Sequence, residues 1–94
     1  MIRSKVVSIT TAAPRALQLG GARGFCLSKA PGDANATFPV TVRYTTERGD
    51  LELQAREGKV YRLSEAVHVA HAQCPTADHS YLLDLLDTDR DSIE

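Results

Sequence analysis

Apolar and polar residues alternate most regularly between Phe38 and Leu63. Phe38, Val40, Val42 and Tyr44 interleave with Pro39, Thr41, Arg43 and Thr45. A period of two gives an extended strand one apolar and one wet face. After Glu47-Arg48-Gly49-Asp50, Leu51, Leu53 and Ala55 interleave in the same way with Glu52, Gln54 and Arg56, and Glu57-Gly58 leads into Val60 to Leu63. The stretch predicts two hairpins in succession, a strand-turn-strand-turn-strand meander.

Shorter runs flank it. The β-branched run from Lys5 to Thr10 predicts a first strand, and Thr11 to Pro14 a connection, because proline cannot donate to a sheet ladder. Leu17 and Leu19 predict a short second strand closed by a Gly20-Gly21 turn. Arg23 to Lys29 predicts a third, with either Phe25 and Leu27 or Cys26 turned inward. Ala30 to Thr37 is rich in turn-forming residues and predicts a loop whose tip is a candidate contact surface. Val67 and Val69, alternating with His68 and Ala70, predict a strand to about residue 72 that ends in the turn Cys74 to Asp78.

Ser80 to Leu86 fits two patterns. As a strand it places Tyr81, Leu83 and Leu85 on one face and Leu82, Asp84 and Leu86 on the other. As a helix capped by Asp78 it makes a stripe of Tyr81, Leu82, Leu85 and Leu86. The strand is preferred, because it completes an antiparallel set. The expected fold is therefore all-β, an antiparallel β-sandwich or jelly roll of about 7–8 short strands, with turn signals every ~8–12 residues. It spans residues 1–86, and residues 87–94 form an acidic C-terminal tail.

A chain of 94 residues makes one domain and buries only about 60–65% of the surface its unfolded form exposes. The net charge of −1 hides an asymmetry. Residues 1–62 carry ten Lys/Arg against five Asp/Glu, and residues 63–94 carry one against seven. Differing solvated loops account for this most simply. The sharper alternative is that the tail docks on a basic face of its own or a neighbouring subunit. Two cysteines and no long apolar leader predict a protein made and kept in the cytosol, and no stretch approaches the ~20 apolar residues of a membrane span.

Candidate chemistry adds little. His68, His71, Cys74 and His79 are zinc-ligand types, but His68 and His71 point to opposite faces of an extended strand, and two ligands do not close a site. No nucleophile elbow or phosphate loop is present. Cys26 within a strand reads as a small core residue. Arg43, Arg56 and Arg62 line the wet face of the predicted meander, yet Glu47, Asp50 and Glu52 interleave with them, and the stacking aromatics of an RNA-binding sheet are missing there. A mixed-charge solvent face follows. No cofactor, metal, nucleic acid or membrane is expected.

The strand after a short N-terminus, the loop rich in Pro, Gly and Asn, and the G-D-L-E-L-x-x-R-E-G-x-x-Y-R-L stretch at Gly49 to Leu63 resemble small β-sandwich virion proteins of tailed bacteriophages. The resemblance implies a non-enzymatic structural protein, made in the host cytoplasm and carried in the virion as capsid decoration or cement. Its partners are then further copies of itself and a major capsid or tail protein. Apolar residues on both sides of Ser80 to Leu86 imply that one covering layer comes from another subunit. Leu82, Leu86, Arg43, Arg56, Arg62, Asp87, Asp89 and Asp91 are the interface candidates. A tail or fibre-attachment component and a stand-alone ligand-binding β-sandwich are the alternatives.

Overall fold

The computed structural model describes residues 2–86. They form six strands, β1 (Ile2–Ile9), β2 (Arg15–Lys29), β3 (Val40–Thr46), β4 (Gly49–Ala55), β5 (Val60–Gln73) and β6 (His79–Leu86). All pairings are antiparallel, in one open sheet of order β1-β6-β2-β5-β3-β4. The all-β expectation holds, and Ser80 to Leu86 is strand. Its alternation decides between the two patterns, since Tyr81, Leu83 and Leu85 are buried and Leu82, Asp84 and Leu86 are half-buried on the other side.

Six strands replace the expected seven or eight because two pairs of short runs are each one long strand. Gly20 and Gly21 both take positive φ, 61° and 82°, but they bend β2 rather than reverse it. From Gln18 to Ala22 the strand advances four residues while its partner goes from Val69 to Val67. Past this bulge the same strand continues to Lys29. Likewise Val60 to Leu63 and Val67 to Ala72 are parts of β5. That strand opposes Cys26 at Val60 and Arg15 at Ala72, with slack opposite Ala22 to Gly24.

The meander is half right. β3 and β4 form the first hairpin, from Val40↔Ala55 to Thr46↔Gly49. The second hairpin does not exist. After Gly58 (φ 72°) the chain leaves β4, which is a sheet edge, and pairs with β2 and with the far side of β3. The Tyr61 hydroxyl ties β5 back to the end of β4, accepting from the Arg56 N–H (2.9 Å) and donating to the Gln54 carbonyl (3.0 Å).

Bending brings the inner face of the sheet onto itself around one core. Tyr81, Phe25, Ile9, Leu19, Leu27, Leu83, Val40 and Val42 are its largest fully buried side chains. The β1–β2 connection is clipped to the end of β5, with the Cys74 N–H on the Thr10 carbonyl (2.8 Å) and the Gln73 side chain on the Thr11 carbonyl (2.6 Å). Gly24 sits where β2, β5 and β6 meet. A Cβ there would come within 2.8 Å of Leu86 Cδ1 and 2.9 Å of the Tyr61 carbonyl oxygen. Gly24→Ala is therefore expected to destabilise by about 1–3 kcal/mol, because a backbone atom cannot swing aside. Urea unfolding checks it, and an unchanged midpoint would show that the three strands have room to part.

Candidate functional site

The outer face of β1, β6 and β2 is the most unusual surface of the molecule. Cross-strand register builds it in rows. Val6 opposes Leu82, which opposes Ser28. Ser4 opposes Asp84, which opposes Cys26 and then Val60. Leu86 opposes Gly24 and then Arg62. Val6 is 60% exposed and Val60 49% exposed, while Leu82, Leu86 and Cys26 are half-buried beside them. The result is an apolar patch with one carboxylate near its middle, and Asp84 accepts a hydrogen bond from the Ser4 hydroxyl. Single exposed aliphatic residues are ordinary. A group of them on one outward sheet face, exposed among the described residues, is what interaction surfaces look like.

Adjacent apolar residues generate this face. Val6-Val7, Val60-Tyr61, Leu82-Leu83 and Leu85-Leu86 each put one side chain inward and one outward. The predicted Leu82 and Leu86 belong to the patch. Val6 and Val60 join them, and the doublets Val6-Val7 and Val60-Tyr61 carry the same signal in the sequence.

The three arginines do not share a surface. Arg43 lies on the opposite part of the sheet, where its Nε donates to Glu52 Oε1 at 2.7 Å. Arg56 follows β4 in an exposed turn, and Arg62 borders the apolar patch beside Gly24. They separate because β5 does not pair with β4. Asp87, Asp89 and Asp91 lie outside the described residues.

Around Arg43 the outer face of β3, β4 and β5 is largely polar, with Val69 exposed on it. Thr45 donates to Asp50 (2.7 Å) and Thr41 to Gln54 (3.1 Å). With both members exposed, the Arg43–Glu52 pair contributes about 0–1 kcal/mol. Pro14, Arg43, Tyr44, Thr45, Asp50, Val69 and His71 line a shallow depression of about 540 Å³ here.

The four zinc-ligand residues stand apart. His68 rests near Gly21 and His71 beside Arg43. The two are not on opposite faces as expected. Both are exposed, because alternation slips between Val67 and Ala70, which are both buried. The Cys74 thiol is buried, 3.1 Å from the Ile9 carbonyl oxygen and 3.2 Å from the Tyr81 hydroxyl. Burial pushes both thiols upward, Cys26 with help from Asp84, so neither is an activated thiolate. Burial and the Cys74 contact likewise raise the Tyr81 phenol, which donates to the Thr37 carbonyl at 2.7 Å.

His79 meets a residue that the pattern did not single out. Its Nδ1 is 3.2 Å from Asp33 Oδ1, and Asp33 Oδ2 accepts the Ser80 N–H at 2.8 Å. An ionised carboxylate only accepts, so Nδ1 carries a proton here. Asp33 and Thr37 thus strap the loop over residues 30–39 onto β6. Nothing in the alternation pattern couples positions 46 residues apart.

The Ser80 N–H is the largest influence holding the Asp33 carboxyl below its ordinary 3.8; partial desolvation opposes it and His79 adds to it. A carboxyl with a depressed folded value stabilises fully above its unfolded pKa and loses that contribution as the pH falls through the folded one. Acid unfolding below about pH 4 should therefore be less steep in Asp33→Asn than in the wild type. Parallel acid melts followed by circular dichroism check this; identical slopes would mean the strap adds no pH-dependent stability. No protein-family model, curated protein or solved structure matches the chain.

Proposed function

We propose that the protein is a non-enzymatic assembly subunit of a tailed-phage virion, a decoration or cement protein that bridges neighbouring shell subunits. The observation that carries the assembly reading is the outward apolar face of Val6, Val60, Leu82 and Leu86, exposed or half-buried among the described residues. The pattern of Gly49 to Leu63 supports the virion setting by resemblance alone. In this reading the bent sheet supplies the two layers of a β-sandwich. Its outer apolar layer is covered by another copy or by a major capsid or tail protein, and nucleic acid and membrane have no part. The protein is made in the host cytoplasm and carried in the particle.

Quantitative mass spectrometry of purified particles tests the setting. Many copies per particle support a shell protein, and a handful would favour a tail or fibre-attachment piece. Absence from the particle overturns the virion reading. The depression around Arg43 and His71 favours one other reading, a stand-alone module for a peptide or carbohydrate, which predicts a monomer whose Arg43 and His71 signals shift on ligand addition.

A further inference from the structure

Beyond its outer face the molecule carries an open seam. Among the described residues β1 pairs only with β6, and the first part of β2, Arg15 to Gln18, pairs only with β5. The two unpaired edges face one another across a groove of about 340 Å³ lined by Lys5, Val6, Val7, Ser8, Arg15, Ala16, Leu17 and Gln18. One long side chain crosses it, Lys5 Nζ to the Gln18 carbonyl at 2.6 Å. Its lining holds two exposed cations, Lys5 and Arg15, and no acidic residue. Facing strand edges of this kind are a template for an added strand, and the basic rims select an acidic one.

We propose that this groove receives residues 87–94 of a second copy of the chain as an extended strand. The segment carries Asp87, Asp89, Asp91 and Glu94 against Arg90, opposite in sign to the rims. At ~3.3 Å per residue it reaches about 26 Å, ample for the four-residue rims. It continues directly from Leu86, the β6 residue that opposes Ile2 at the start of β1. Entering its own groove demands a reversal and a crossing over the start of β1, which would use up several of the eight residues before any could pair. A neighbouring copy needs no such reversal. Main-chain pairing then adds a second, salt-sensitive contact between copies to the apolar one.

The test uses the full-length protein. A labelled peptide with the sequence of residues 87–94 is titrated into it in low salt and in about 0.5 M salt. Binding should weaken by at least about tenfold in high salt and in a Lys5→Glu/Arg15→Glu variant. Full-length protein carrying Asp87→Asn, Asp89→Asn and Asp91→Asn should associate more weakly by a similar factor. Val60→Ser/Leu82→Ser, which alters only the outer face, should leave peptide binding intact, so failure of the groove and failure of the apolar face are read separately. Peptide binding that ignores Lys5 and Arg15 overturns the proposal. So does an effect of the three Asn substitutions on thermal stability that is independent of protein concentration, because that marks a strap within one chain.

Discussion

Leu83→Ala is expected to lower stability by about 2–5 kcal/mol, the usual cost of removing a fully buried leucine side chain and leaving a cavity. Leu83 has no exposed surface and sits on β6 between Lys5 of β1 and Leu27 of β2, so neither neighbour can collapse into the space without breaking the register. For a domain of this size the loss corresponds to a fall in Tm of the order of 10 °C or more. Leu82→Ala, one residue away on the outer face, should cost the isolated chain about 1 kcal/mol or less. Thermal melts at low protein concentration separate the two. Equal losses would mean that the outer side of β6 is as tightly packed as the inner.

The second large effect concerns association. Val60→Ser/Leu82→Ser should weaken binding between copies about 10–100-fold, since two partly exposed apolar anchors of an interface together contribute on the order of 1.4–2.8 kcal/mol. The isolated fold should be little changed, because Val60 is half exposed and Leu82 points away from the core. Sedimentation velocity across a dilution series reads the difference. Substituting Thr41 and Gln54 on the polar face serves as the control and should have no effect.

Period-two alternation made the strands legible, including β6, where the residues themselves fit helix and strand about equally. It did not make the partners legible. A reversal and a bulge both use glycine at positive φ, so Gly20-Gly21 reads the same either way, and only the register opposite Val67 and Val69 shows that β2 carries on. For the same reason β4 and β5 looked like a hairpin: the turn at Glu57-Gly58 is real, but long-range pairing with β2 outcompetes the local one. The apolar face was legible in part, through Leu82 and Leu86. Val6 and Val60 complete it only once β1 and β5 are known to flank β6 and β2. The Asp33–His79 strap was not legible at all, because it depends on a loop folding back across the sheet.

Cys26 offers the most direct test of the central claim that copies meet through the outer face. It lies in the middle of that face opposite Asp84 and Val60, and the remaining thiol, Cys74, is buried on the inner side. The measurement is the rate of Cys26 alkylation as protein concentration is raised, at one fixed alkaline pH, since the thiolate is the reacting form. Alkylation is expected to slow as copies associate, and Val60→Ser/Leu82→Ser to abolish the slowing. A rate that stays constant while the protein demonstrably associates would contradict it and place the contact elsewhere on the sheet.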